Sequence, residues 1–168
     1  MNNLDRRRFL QLAGAGGLVI AIGPGGIRRL DAATSDTAPW DAVAYVTLHP
    51  EGTVAIVCHR SEMGQGIRTT MPMIIADEME ADWAMCRVEQ AVGDEPKYGS
   101  QNTDGSTSIR DFLGKYREAG ATVRALMEEA AAKEWGVAVS EVSARNGEVV
   151  HTASGRTRGF GALVATAR

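Results

Sequence analysis

Apolar and polar positions alternate along this chain with two different periods. Val43 to Leu48 and Thr53 to Cys58 are runs rich in β-branched residues, separated by His49-Pro50-Glu51-Gly52. Proline fixes one backbone angle and glycine supplies a positive one, so the pattern predicts a hairpin. From about Thr69 to Asp82 the period changes to that of a helix. Ile67, Met71, Ile74, Ile75 and Met79 fall on one face, with Pro72 placed in the first turn. Met85 to Val92 predicts a strand, and 93–108 a polar loop. The strongest periodicity runs from Ile109 to Trp135. There Phe112, Tyr116, Ala119, Val123, Leu126 and Ala130 form a stripe, and Gly136 follows as a stop signal. Val142–Ala144 and Glu148–His151 flank Asn146-Gly147, a two-residue hairpin turn. Ser154-Gly155-Arg156 predicts another turn, and Phe160–Arg168 a further helix. The predicted class is α+β: β-hairpins and short strands packed with two main helices.

The amino end has a different character. Arg6-Arg7-Arg8-Phe9-Leu10 precedes a weakly apolar run, Leu12 to Ile27, broken by six glycines and Pro24. It is too short and too rich in breakers for a spanning helix, and it fits a twin-arginine export signal over residues 1–33. A basic N-terminal arm is the alternative. Residues 34–41 read as a linker, leaving 42–168 as the folded body. Gly14-Ala15-Gly16-Gly17 lacks the preceding strand and the glycine spacing of a dinucleotide-binding turn. Export by this route predicts a periplasmic protein, with membrane association left open.

Charge and composition narrow the function classes. The chain has 168 residues and a net charge of −3. Five arginines lie within residues 1–33, so the body is distinctly acidic, which argues against nucleic acid as a partner. The two cysteines, Cys58 and Cys86, sit in strand-like apolar runs and form no CxxC; a disulfide between them stays open. His49, His59 and His151 show no metal-ligand spacing, so no protein-ligated metal site is expected. Asp77/Glu78 and Glu128/Glu129 are expected on solvated helix faces. No catalytic residue is assigned.

Two segments could hold a ligand. Glu62-Met63-Gly64-Gln65-Gly66 lies between a strand and a helix, where the missing Cβ atoms of Gly64 and Gly66 and the helix N-terminus suit an anion or an electron-rich heterocycle. The alternative is a simple connection. Thr103-Asp104-Gly105-Ser106-Thr107-Ser108-Ile109-Arg110, leading into the long helix, supplies clustered hydroxyls. These serve either as helix caps or as a phosphate cradle, with Arg110 available to assist an anion.

The run His59-Arg60-Ser61-Glu62-Met63-Gly64-Gln65-Gly66 through Met79 resembles the molybdopterin-binding large subunit of molybdenum hydroxylases. Within the xanthine oxidase family it is most similar to the isoquinoline 1-oxidoreductase beta-subunit type. Asp82-Trp83, Gly105–Ser108, Arg117–Thr122, Ala130–Val137, Asn146-Gly147 and Ser154–Arg156 agree with that resemblance. It implies part of a molybdopterin-binding domain. The cofactor is commonly the cytosine dinucleotide form, contacted by Gly64, Gln65, Gly66, Gly105, Ser106, Thr107 and Ser108.

The implied reaction is hydroxylation of an N-heterocycle, or oxidation of an aldehyde, with water as oxygen source. Electrons would leave through a small 2Fe-2S subunit, onward to a c-type cytochrome. The family's catalytic glutamate lies far downstream and has no match here. The chain is therefore expected to be an N-terminal fragment, inactive alone. Asp104 departs from the glycine that the family favours, and its carboxylate would repel a phosphate. The competing expectation is a stand-alone periplasmic α+β binding domain without redox activity.

Overall fold

A computed structural model describes residues 21–23, 26–28 and 40–168, with side chains from Ala44 onward. The twin-arginine motif and most of the 34–41 linker lie outside the described residues. Within the amino-terminal segment, β1 (Ala21–Gly23) and β2 (Gly26–Arg28) pair antiparallel.

The main sheet has the order β3-β4-β5-β6, formed by Trp40–Val43, Val46–Leu48, Val54–Cys58 and Cys86–Gln90. The expected hairpin joins β4 and β5. Gly52, at φ 95°, donates its N–H to the His49 carbonyl at 2.9 Å. Strand β5 is the best-buried element, with Val54, Ala55, Ile56 and Cys58 all at or below 3% exposure. It pairs parallel with β6, from Val54 opposite Cys86 to Cys58 opposite Gln90. A parallel neighbour requires a crossover, here the helix α1 (Ile67–Glu78), so β5-α1-β6 is a βαβ unit. In such units ligands collect at the carboxyl ends of the strands. The loop that leaves β5 is the Ser61–Gly66 segment.

Several predicted boundaries shift, each for a local reason. Helix α1 starts at Ile67 because Gly66, at φ 85°, is its N-cap. It ends before Glu80, whose φ of 59° turns the chain. Pro72 is thus inside the helix rather than in its first turn, and its buried ring takes a core position at the expense of one backbone hydrogen bond. Trp83–Met85 form a single 3₁₀ turn capped by the Asp82 carboxylate, which accepts from the Ala84 N–H at 2.9 Å, so β6 begins one residue late. The polar loop contains a one-turn helix, α2 (Glu95–Tyr98), capped by Asp94. Helix α3 covers Thr107–Trp135 and ends at Gly136, φ 66°.

A second sheet follows in the order β7-β8-β9: Val142–Arg145, Glu148–His151 and Thr157–Gly159. Asn146 and Gly147, at φ 49° and 80°, make the expected two-residue turn. Strand β9 is an addition to the expected elements, since its exposed Thr-Arg-Gly sequence has no apolar alternation. Helix α4 (Phe160–Ala167) closes the described chain.

One core joins these elements. Met71 and Ile75 of α1, and Met79 that caps its end, share one cluster with Tyr116, Val123 and Met127 of α3 and Leu163 and Val164 of α4. At the α1–α3 crossing, a Cβ on Gly120 would stand 2.6 Å from the Ile75 carbonyl oxygen. Two acidic residues expected on solvated faces instead tie elements together. Glu78 receives Arg117 at 2.9 Å and Arg124 at 3.7 Å from α3, and Glu128 accepts the Ala144 N–H of β7 at 2.9 Å. Cys58 and Cys86 are both free. The β5–β6 register places them four residues apart along the sheet, about 13 Å, beyond disulfide reach.

Candidate functional site

The corner leaving β5 is organised by its own side chains. Oε1 of Glu62 accepts the N–H groups of Gly64 (2.6 Å) and Gly66 (3.0 Å), and Oε2 accepts that of Arg68 (3.0 Å). These backbone donors, that of Arg68 foremost, hold the Glu62 carboxyl below the usual carboxylate range. Gln65 closes the loop from the other side. Its Oε1 accepts the Met63 N–H at 2.6 Å, and its Nε2 donates to the Ser61 carbonyl at 3.0 Å. The donors expected to face a ligand at Gly64 and Gly66 are therefore engaged by Glu62, a residue to which the sequence pattern assigns no role. A carboxylate two and four residues before a Gly-x-Gly pair at a helix start is the signal that marks it. Open space surrounds the Cα of both glycines. Their φ of 96° and 85°, rather than crowding, is what favours glycine there.

The second corner approaches from the other side. Thr103 Oγ1 accepts the Ser61 N–H at 2.9 Å, joining the two loops directly. Gln101 reinforces the junction by donating to the His59 carbonyl at 3.3 Å. Asp104 turns the chain, its carbonyl accepting both the N–H and the hydroxyl of Thr107 at 3.0 and 2.9 Å. Gly105 and Ser106 follow in left-handed conformations, φ 52° and 57°. Ser106 occupies the N-cap of α3 but its hydroxyl makes no capping bond. Of the two readings of these hydroxyls, side-chain capping is thus not realised, and the positive end of a 29-residue helix has no side-chain cap. Arg110 pairs with Asp111 at 3.1 Å, in solvent, and does not join the cleft.

The corners enclose a cleft of about 430 Å³, lined by Met63, Gln65, Ile67, Thr103, Asp104, Gly105, Ser106, Ser108 and Ile109. Gln65, Gly105, Ser106 and Ser108 are therefore brought together as expected. Gly64, Gly66 and Thr107 do not line it and instead shape the backbone of its walls. A larger cavity of about 620 Å³ lies between the β4–β5 and β7–β8 turns and contains none of the expected site residues.

Behind the α3 wall is a buried polar and aromatic cluster. His59 Nδ1 lies 2.8 Å from the Tyr116 hydroxyl, which donates to the Val57 carbonyl at 3.1 Å. With its one proton given to Val57, the hydroxyl accepts from His59, which assigns the proton to Nδ1. Burial, and then the charges of Arg60 and Lys115, push the His59 pKa down to about 4. Arg60 is 2% exposed, and its guanidinium carbon stands 4.6 Å from the Phe112 ring centroid. Neither its Nε nor its Nη1 has a hydrogen-bond partner. The sequence pattern assigns this pair no role: His59 is read as a histidine without metal-ligand spacing, and both residues stand in the run that carries the resemblance without a function of their own.

An uncapped helix start, two hydroxyls and an amide side chain beside Met63, Ile67 and Ile109 suit a flat polar heterocycle that carries an anionic group. The cleft volume is in the range of small-molecule sites. Among the described residues, no group of three or more His, Cys, Asp or Glu could hold a metal ion.

Comparison with known proteins identifies relatives of the whole chain. The chain is 33% identical over 173 residues to the isoquinoline 1-oxidoreductase subunit beta of Brevundimonas diminuta, covering 97% of this chain and 22% of that protein. It is also 33% identical over 167 residues to a membrane-bound aldehyde dehydrogenase of Gluconacetobacter polyoxogenes, covering 97% of this chain and 21% of the relative. The name of that second relative specifies pyrroloquinoline quinone. The chain thus spans about a fifth of the length of these curated relatives.

Among solved structures, the quinoline 2-oxidoreductase of Pseudomonas putida 86 aligns over 71% of this chain and 15% of its own, at 19% identity and a TM-score of 0.55. Reconstituted CO dehydrogenase from Oligotropha carboxidovorans aligns over 70% and 15%, at 20% identity and a TM-score of 0.56. Both share the α+β fold. The sequence profile described as "Molybdopterin cofactor-binding domain" matches residues 8–168, and the chain belongs to that family.

Proposed function

We propose that this chain binds a molybdopterin cofactor in the cleft between the Gln65 corner and the start of α3, as one part of a larger oxidoreductase. One observation carries the reading: two loops 40 residues apart in sequence, both singled out for ligand chemistry, form opposite walls of one cleft. The N-terminus of α3, which carries no side-chain cap, would receive the phosphate together with the hydroxyls of Ser106 and Ser108. The Gln65 amide, which both donates and accepts, would face the pterin once it releases Met63 or Ser61. Ile67, Ile109 and Met63 would exclude water from the ring faces. The cofactor, when bound, supplies the redox centre through its dithiolene-held molybdenum. The chain's part is to bind, orient and shield it.

By analogy with the relatives, the complete enzyme hydroxylates an N-heterocycle or oxidises an aldehyde and passes electrons to a small 2Fe-2S subunit, with a c-type cytochrome beyond it. The cytosine dinucleotide form of the cofactor and twin-arginine export to the periplasm belong to the same proposal. This chain on its own would bind cofactor without turnover, because the family's glutamate base has no match in it.

The test is to produce the chain in cells that make the cofactor, then assay for molybdenum, oxidised pterin fluorescence and pyrroloquinoline quinone. Molybdenum and pterin in equal amounts, both reduced by Gln65→Ala, are expected. Protein free of both, or carrying the quinone alone, refutes the reading.

A further inference from the structure

Arg60 presents an energetic anomaly that the fold alone does not resolve. A guanidinium at 2% exposure, with Nε and Nη1 unpartnered, carries the desolvation penalty of a buried charge without the hydrogen bonds that would offset it. Contact with the Phe112 ring offsets only part of this. No carboxylate neutralises Arg60 among the described residues. Glu62, two positions along, has both oxygens on backbone N–H groups. Lys115, whose Nζ lies 5.1 Å from the same ring centroid, adds charge of the same sign.

The location of this charge gives it a use. Phe112 follows Ser108 by four residues on the buried face of α3, one helical turn, and Ser108 lines the cleft. Arg60 therefore sits behind the wall that presents the uncapped helix start. That corner also carries Asp104, an exposed carboxylate that would oppose an anion, while Arg110 is paired with Asp111. The positive charge the corner lacks at its rim is held behind it.

We propose that Arg60 is a positioning residue: a buried, unneutralised cation that draws the phosphate portion of the ligand to the Ser106–Ser108 corner and offsets Asp104. The proposal rests on the cofactor-binding reading. A unit charge acting over ~10 Å at an effective dielectric of ~20 alters an anion's affinity roughly tenfold.

The experiment measures binding of inorganic pyrophosphate and of an uncharged pterin to the 168-residue chain and its variants. Arg60→Met should weaken pyrophosphate roughly tenfold, leave the pterin unchanged, and keep or raise the melting temperature, since an apolar replacement relieves a buried charge. Arg60→Lys, which retains the charge, should stay within about threefold of the parent chain, a small share of the Coulomb effect. If the Met variant does not fold, Arg60→Gln makes the same comparison. Pyrophosphate affinity unchanged on losing the charge, equal losses in the Lys and Met variants, or parallel losses for both probes would each overturn the proposal. Failure of the parent chain to bind either probe removes the cofactor reading itself, and this proposal with it.

Discussion

Replacing Gly120 by alanine probes the contact that sets the spacing of the two helices whose N-termini carry the cleft. The new methyl group would stand 2.6 Å from the Ile75 carbonyl oxygen, 2.8 Å from Glu78 Cβ and 3.2 Å from the Met79 nitrogen. Two of these three atoms are backbone, so relief requires α1 and α3 to move apart. Overpacking of this kind costs about 1–3 kcal/mol, against a gain of about 1 kcal/mol from replacing glycine inside a helix. The net is a loss of up to about 2 kcal/mol. Gly114 is the matched control, because it lies in the same helix and a Cβ added there would meet no atom within 4 Å. Its alanine variant should gain about 1 kcal/mol. Urea denaturation followed by circular dichroism reads both variants, with the m-value showing whether the unfolding transition is otherwise unchanged. A melting-temperature loss of up to about 8 °C is expected for Gly120→Ala. Equal stabilisation by the two alanines would refute the close-packed crossing. The same variant should also weaken pyrophosphate binding, since the cleft walls ride on the helices that separate.

Buried groups supply three further expectations. The His59 pKa is about 4 in the folded chain and about 6.5 when unfolded, so the unfolded state binds the extra proton. The contribution is present above pH 6.5 and is lost as pH falls toward 4, by roughly 3 kcal/mol; a pH series of urea melts in which His59→Gln shows the same acid slope would contradict this. Tyr116→Phe removes the hydroxyl between His59 and Val57 and leaves the buried His59 Nδ1 and the half-buried Val57 carbonyl without it, for a loss of about 1–3 kcal/mol in the same assay. Burial raises the Cys58 thiol and pushes Cys86 up to about 11, so a thiol reagent at pH 7 should label the native chain slowly and both cysteines rapidly in denaturant. Absence of free thiols in non-reducing denaturant would show a disulfide instead.

Features governed by neighbouring residues are legible in the sequence. Asn146-Gly147 specifies its own turn, Gly136 its helix end, and Phe112, Tyr116, Ala119, Val123 and Ala130 the buried stripe of α3. Features set by distant partners are not. The run Val54–Cys58 is equally consistent with an antiparallel or a parallel neighbour, and only the arrival of Cys86–Gln90 on its far side decides. Strand β9 exists because β8 offers it a ladder, not because Thr157–Gly159 favours extension. The site divides the same way. The residue types at both corners suggest a ligand, yet their meeting in one cleft depends on the α1–α3 packing. Glu62 and Arg60 escape a reading of the sequence because a lone charged residue signals its role only through what surrounds it. For Glu62 that is three backbone donors, and for Arg60 it is a buried Nε and Nη1 without an acceptor.

The grip of Glu62 on Gly64, Gly66 and Arg68 has a thermodynamic corollary. A glycine-bearing loop is normally floppy when empty, and freezing it upon ligand capture subtracts from affinity. Here the chain's own carboxylate has already imposed the shape, so that entropy is lost during folding instead of during association. The corner should behave as a rigid receptor, with the same backbone before and after capture.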